Sequence, residues 1–124
     1  MPTLIACLST GKGTWAEVNR LMQAQPWDKI FLITNKFGIE NFTSKNANTQ
    51  LILTDSFQDT PVMVSQIKKQ LTSISDFEVA LNFASGSGKE HLALLEAVLE
   101  MGLNFRLVTI NQNNQLEVLG LNSS

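Results

Sequence analysis

The amino-acid sequence predicts an α/β fold in which a mostly parallel sheet of five to six strands lies between two layers of helices. Short apolar runs alternate with segments whose apolar residues recur at the helical period, as expected for strands followed by amphipathic helices. Of the 124 residues, 44% are hydrophobic and 16% are charged, which is an ordinary globular composition. No repeat or low-complexity linker divides the chain, so we expect a single domain over residues 1–124.

The first half of the chain supplies two strands and a helix that can be assigned with little ambiguity. Thr3–Leu8 is almost entirely apolar, which is typical of a central strand buried on both faces. A helix is predicted over 14–23, where Thr14 has an acidic residue three positions on and so the spacing of a capping box. Lys29–Thr34 predicts the second strand. Residues 35–49 are polar and rich in asparagine, which predicts a loop with a short helical turn.

The second half continues the alternation of strands and helices. Pro61 suits the first turn of a helix, and Gly102 suits the residue that follows one. The predicted elements are strand 51–53, helix 60–73, strand 77–83, helix 89–101, strand 104–110 and an antiparallel edge strand 115–119. Such alternation implies parallel pairing through right-handed crossovers. We therefore expect a three-layer Rossmann-like sandwich with a strand order such as 3-2-1-4-5.

Composition and charge exclude several functional classes. A single cysteine, Cys7, and a single histidine, His91, provide neither a disulfide framework nor a Cys/His zinc set. The formal net charge of −2 argues against binding to duplex nucleic acid, which normally needs a basic face. No signal peptide or bilayer-length apolar stretch is visible. We expect a cytoplasmic protein that uses no membrane, metal or other cofactor.

Two glycine-rich loops are expected to meet at one place. Ligands of open α/β sheets bind beyond the carboxyl ends of the strands, where the strand order reverses, and here that point lies between the first and fourth strands. Both loops carry a lysine and hydroxyl groups and lead into a helix N-terminus, which favours anions. The alternative interpretation is a pair of tight turns with solvated lysines. The candidate ligand-binding residues are Ser9, Thr10, Gly11, Lys12, Gly13, Ser85, Gly86, Ser87, Gly88 and Lys89, together with Asn35 and Asn82 near the ends of the second and fourth strands.

Familiar nucleotide motifs fit these loops poorly. A Walker loop needs glycine at its first position and serine or threonine after the lysine, where this chain has Phe83 and Glu90. The dinucleotide fingerprint has two of its glycines, but its third position is Ala16 and Asn35 replaces the acidic residue expected after the second strand. The pattern therefore favours holding a phosphodiester over transferring a γ-phosphate, while a dinucleotide remains an alternative.

The stretch 79–108, VALNFASGSGKEHLALLEAVLEMGLNFRLV, resembles the signature region of CRISPR-associated Rossmann-fold (CARF) domains. In that family a strand ends in asparagine, a Thr-Gly-Gly-Thr-Lys-like loop follows, and an alanine-rich helix leads to the next strand. The first loop, LSTGKGTW, looks like the other ligand-contacting turn of the family. This chain departs from the pattern, because SGSGK replaces the usual loop and Asn82 is one residue further from the lysine.

The resemblance implies a homodimer whose two crevices join to bind a cyclic oligoadenylate across the two-fold axis, in type III CRISPR signalling or its regulation. A ligand-binding regulatory domain is the leading hypothesis. The alternatives are a metal-independent ring nuclease that opens the same ligand and an unrelated mononucleotide- or dinucleotide-binding protein. No catalytic residue is indicated, and His91 is expected to be a packing or surface residue. The helix 89–101 is apolar on more than one side, so it is either sandwiched within the domain or shared with a partner chain.

Overall fold

Six strands and four helices, counted within the described residues, alternate along the chain. The computed structural model describes residues 3–8, 15–42, 48–55, 57–72, 74 and 78–120. The elements are β1 (Thr3–Leu8), α1 (Trp15–Gln23), β2 (Lys29–Thr34), α2 (Lys36–Asn41), β3 (Thr49–Leu53), α3 (Thr60–Gln70), β4 (Glu78–Asn82), α4 (Gly88–Glu100), β5 (Asn104–Ile110) and β6 (Leu116–Val118).

The sheet has the order β3-β2-β1-β4-β5-β6, which confirms the predicted fold class and strand order. The pairs from β3 to β5 are parallel, and β6 pairs antiparallel with β5 at the edge. Because β1 lies between β2 and β4, the strand order reverses at β1 and β4. This reversal opens the crevice at which open α/β sheets bind ligands.

The side chains of β1 point alternately to the two faces of the sheet and so contribute to both hydrophobic cores. Every residue of β1 is buried, as the sequence predicts. Ile5 and Cys7 point into the core formed with α3 and α4, whereas Ala6 and Leu8 point into the core formed with α1 and the end of α2. A strand that is buried on both faces fixes the position of its carboxyl end, and the candidate site lies directly beyond that end.

Several elements differ in their bounds from those predicted, most of them by one to three residues. The polar segment after β2 contains a whole helix, α2, because the Asn35 side chain caps it by accepting a hydrogen bond from the Gly38 backbone N–H at 3.0 Å. The helix α3 ends at Gln70, three residues early, and β3 begins two residues before its predicted start. The helix α4 begins one residue early at Gly88. Gly102 has the positive φ of a helix C-terminal residue, at 69°, as predicted. Thr14, the predicted cap of α1, lies outside the described residues.

The helix α4 has one buried apolar face and a second apolar face that is exposed. Ala97 and Val98 are fully buried against the sheet and α3. On the opposite side Leu92 is 58% exposed and Leu99 is 56% exposed. Packing inside the domain therefore explains only part of its apolar character. Within the described residues, no helix combines the length and the apolar character needed to span a bilayer.

Candidate functional site

The candidate site lies at the carboxyl edge of the sheet, where β1 and β4 end side by side. Their register pairs Ala6 with Asn82. The end of β1 is also tied to β2, because the Thr34 hydroxyl donates a hydrogen bond of 2.7 Å to the Leu8 carbonyl oxygen. The predicted contacts in the loop after β1 lie outside the described residues; they are Ser9, Thr10, Gly11, Lys12 and Gly13. The described part of the site is therefore the loop 83–87 and the start of α4.

Asn82 holds the start of this loop. Its side chain is buried, its Nδ2 donates to the Val108 carbonyl oxygen at 2.8 Å, and its Oδ1 accepts from the Ala84 N–H at 3.1 Å. The first bond extends the hydrogen-bonding between β4 and β5 by one position beyond their last paired residues. The second bond turns the chain away from the sheet. The structure thus assigns Asn82 a positioning role, and a direct contact of Asn82 with a ligand stays a prediction.

Gly86 makes the tight turn that brings the loop over the end of β1. Its φ is 101°, in the region that favours glycine. A Cβ at this position would lie 3.0 Å from the Cβ of Cys7 and 3.2 Å from Nε2 of His91. The loop therefore packs directly on β1 and α4, with room for a hydrogen atom and no more.

Ser87 and Glu90 form a capping box at the start of α4. The Ser87 hydroxyl oxygen accepts from the Glu90 N–H, and the Glu90 Oε1 accepts from the Ser87 N–H at 3.0 Å. The Ser87 hydroxyl acts as an acceptor toward the helix and retains its own hydrogen, so its donation to a ligand stays a prediction. The Glu90 Oε2 is buried and has no hydrogen-bond partner within the part of the chain that the structure describes. Glu90, which does not fit a Walker loop, is thus the residue that fixes this loop against the helix.

The other predicted residues of this loop differ in their exposure. Gly88 is the first residue of α4, and a Cβ added there would meet no atom within 4 Å. Lys89 follows in the first turn and is partly buried. A cation at this end of a helix opposes the helix dipole, which an anionic ligand would offset. Ser85 is only 1% exposed, and its carbonyl oxygen is 2.7 Å from Nε2 of His91. Direct contact of a ligand with Gly86, Gly88, Ser85 or Lys89 stays a prediction.

Cys7 on β1 and His91 on α4 pack against the loop 83–87. Because its partner is a carbonyl oxygen, the His91 Nε2 carries a hydrogen and donates it. The imidazole also packs on Phe83, with ring centroids 5.1 Å apart. Burial raises the pKa of the Cys7 thiol well above its ordinary value, and the nearby Glu90 carboxylate raises it further. An un-ionised thiol is a poor nucleophile, so Cys7 contributes packing.

Asn35 lies at the end of β2, separated from Asn82 by β1. Its backbone leads into α2 and its Oδ1 is engaged in capping that helix, so its direct contact with a ligand also stays a prediction. Near it, Trp15 is buried in an aromatic cluster with Phe37 and Phe42, at centroid distances of 5.8 and 5.6 Å. Within the described ranges, no three side chains of His, Cys, Asp or Glu form a group that could hold a metal ion.

The sequence carries a signal for the capping box that is independent of the Walker motif. Ser87 and Glu90 have the Ser-x-x-Glu spacing that marks a helix start, but a Walker comparison treats Glu90 only as a mismatch. The two hydrogen bonds of Asn82 carry no such signal. Their partners include a carbonyl oxygen 26 residues away on another strand.

Comparison with known proteins identifies the fold. No protein-family model and no curated protein matches the sequence. Among solved structures, the chain is similar to Enterococcus italicus Csm6 bound to cyclic hexa-2'-fluoro-hexa-dAMP, with a TM-score of 0.57 and 15% sequence identity. The match covers 94% of this chain and 35% of the Csm6 chain, so this chain spans about a third of that protein. The likeness confirms the Rossmann-like α/β architecture.

Proposed function

We propose that this chain is a ligand-binding regulatory domain for a cyclic oligoadenylate or a similar nucleotide second messenger, of the CARF type. The observation that carries the proposal is the loop 83–87 at the point where the strand order reverses. There Ser87 caps the N-terminus of α4, and Lys89 follows in the first turn of that helix, beyond the ends of β1 and β4. Hydroxyl and ammonium donors at a helix N-terminus suit a phosphodiester.

The fold supports the same ligand class. The Csm6 structure to which this chain is similar holds a cyclic hexanucleotide. The sequence resemblance to CARF domains covers Asn82, the glycine-rich loop and Lys89. Together they support the proposal of a cyclic oligoadenylate over a mononucleotide or dinucleotide, and of a role in type III CRISPR signalling.

A homodimer completes the proposal. A ring with an even number of equivalent nucleotides has two-fold symmetry, as does a dimer of identical chains. The exposed Leu92 and Leu99 give α4 an apolar face that a second copy would cover. We expect one ring to bind per two chains.

Binding without cleavage is the form of this function that the site favours. The ring opens by in-line attack of a positioned ribose hydroxyl, a step that a general base would accelerate. Near the loop, the Nε2 of His91 is occupied as a donor to Ser85, and Cys7 is buried and un-ionised. A binding domain leaves the cyclic ligand intact, whereas a ring nuclease converts it to a linear product.

We expect Lys89→Gln to weaken binding of cyclic hexa-adenylate by about 30-fold, because it removes a charge-assisted contact with a phosphate. Radiolabelled ligand and filter binding measure the dissociation constant. Lys29→Gln, which makes the same change of charge at the amino end of β2, is the matched control and should change the constant less than about twofold.

Chromatography of the bound ligand after incubation separates the alternatives. Intact ligand supports a binding domain, and linear product identifies a ring nuclease. Failure of both cyclic tetra- and hexa-adenylate to bind at high micromolar concentration, with NAD or ATP binding instead, would overturn the proposal in favour of an unrelated nucleotide-binding protein.

A further inference from the structure

A concave region lies at the same edge of the sheet as the loop 83–87, beyond the ends of β2 and β3. It is a cavity of about 770 Å³ between α2, α3 and the segment that follows β3. This volume lies within the range of about 300–1,000 Å³ that small-molecule sites occupy. None of residues 82–89 lines it, and among the candidate ligand residues that the structure describes it shares Asn35. It therefore requires its own explanation.

One wall of the cavity is polar and held in place by hydrogen bonds. The Gln66 Oε1 accepts from the Thr54 hydroxyl at 3.1 Å and from the Asp55 N–H at 3.4 Å. The Gln70 side chain bonds both the N–H and the carbonyl oxygen of Leu53. Because Gln70 occupies these backbone groups, the end of the edge strand is closed to a further β-strand, which disfavours an extended peptide as the occupant.

The Gln66 amide leaves a donor for a ligand. Both recorded bonds of its side chain use Oε1, and within the described part of the chain Nε2 donates to no protein acceptor. A fixed amide with an available N–H2 group is suited to the polar edge of a heterocyclic base.

The cavity lining also includes exposed aromatic and apolar side chains. Phe57 stands at its rim with 96% of its surface exposed, and Phe37 and Leu53 are 37% and 48% exposed. The Phe57 backbone is fixed by the Asp55 Oδ1, which accepts from its N–H at 2.9 Å. An almost completely exposed phenylalanine on an anchored turn offers a stacking surface to a flat ligand.

The charges at the cavity favour an anion. Lys36 and Lys69 line it, opposed by the carboxylate of Asp55, so the charged lining carries a net charge of +1 from two cations and one anion. Among the described residues, the Lys36 ammonium has a single ion pair, a long contact of 3.9 Å with the exposed Glu40. Asp55 is left to accept hydrogen bonds from ribose hydroxyls or an exocyclic amine.

We propose that this cavity is a separate site for a purine nucleoside monophosphate. The base stacks on Phe57 and bonds the Gln66 amide, and the phosphate is held by Lys36 and Lys69. The site goes beyond the proposed function and does not depend on it, because none of its contacts involves the loop 83–87.

Calorimetric titration of the full chain with AMP, adenosine and ribose 5-phosphate tests this proposal. We expect AMP to bind more tightly than either fragment. Phe57→Ala should weaken AMP about tenfold through the loss of stacking. The double variant Lys36→Gln/Lys69→Gln should weaken AMP by roughly tenfold and leave adenosine unchanged.

Two controls separate the site from general surface effects and from the other crevice. Leu119→Ala removes a half-exposed apolar side chain near the far edge of the sheet, and Lys29→Gln removes a distant charge; neither should alter AMP binding. Absence of AMP binding at millimolar concentration overturns the proposal. So does AMP binding that Lys89→Gln abolishes while Phe57→Ala leaves it intact, because AMP then occupies the loop crevice. If AMP binds as expected and cyclic oligoadenylates do not, the cavity stands and the function proposed for the loop fails.

Discussion

Gly86→Ala is expected to lower the free energy of unfolding by about 3 kcal/mol. Two effects add. A φ of 101° is unfavourable for any residue with a Cβ, and the new methyl group would stand 3.0 Å from the Cβ of Cys7 on a strand that is buried on both faces. Neither β1 nor α4 can retreat without losing core contacts. The strain would therefore open the loop 83–87 or displace the start of α4.

Urea denaturation followed by circular dichroism measures this effect. Gly88→Ala is the matched control, because it adds the same methyl group two residues away where no atom lies within 4 Å. Alanine is favoured over glycine in a helix, so this variant should be neutral or stabilised by up to about 1 kcal/mol. Equal stability of the two variants would contradict the packing described for the loop.

Asn82→Ala is expected to cost about 3 kcal/mol of stability as well. The substitution leaves the Val108 carbonyl oxygen and the Ala84 N–H without their side-chain partners, at a position that is 3% exposed. A buried group that loses its partner incurs most of its desolvation cost. The turn after β4 would also lose the bond that sets its direction.

Thermal and urea unfolding of Asn82→Ala and of Asn113→Ala test this role. Asn113 lies exposed in the turn between β5 and β6, so its variant should remain within about 0.5 kcal/mol of the parent chain. If Asn82→Ala keeps full stability but loses affinity for a cyclic oligoadenylate, Asn82 is a ligand contact, as the sequence suggested, and the positioning role is wrong.

The sequence predicts the fold well because the signals are local. Each signal depends on neighbouring residues and on the period of one element. Examples are the continuous apolar run of β1, the apolar stripes along the helices, and Gly102 at the C-terminal end of α4. Strand order follows from the same alternation, since right-handed crossovers leave few arrangements. For the short helix α2 the sequence predicts only a helical turn, because asparagine favours loops unless it caps a helix.

The site is less accessible to sequence reasoning because its contacts join distant segments. The cavity beside β3 depends on Gln66 and Gln70, whose partners lie 11 to 17 residues earlier in the chain. The sequence pattern does not predict that the Phe57 side chain is exposed. In the glycine-rich loop, composition indicated anion binding, whereas the structure shows that Asn82, Glu90 and His91 hold the loop in place.

The glycine-rich loop and the cavity both lie at the carboxyl edge of one parallel sheet, on either side of β1. The loop 83–87 leads into a helix N-terminus whose first turn contains Lys89, whereas the cavity is lined by an aromatic ring, an amide and two lysines. The first arrangement suits the backbone of an oligonucleotide and the second suits a single nucleotide. Separate variants, at Lys89 and at Phe57, can therefore test them independently.

The most direct test of the central claim is an amide NMR titration of the isotope-labelled chain with cyclic hexa-adenylate. We expect saturable shifts centred on 83–89 and on the loop that follows β1, with an equivalence point at one ring per two chains. Residues of the turn between β5 and β6 should remain unchanged. Absence of saturable shifts, or shifts that leave 83–89 unaffected, would contradict the assignment of this loop as the ligand site.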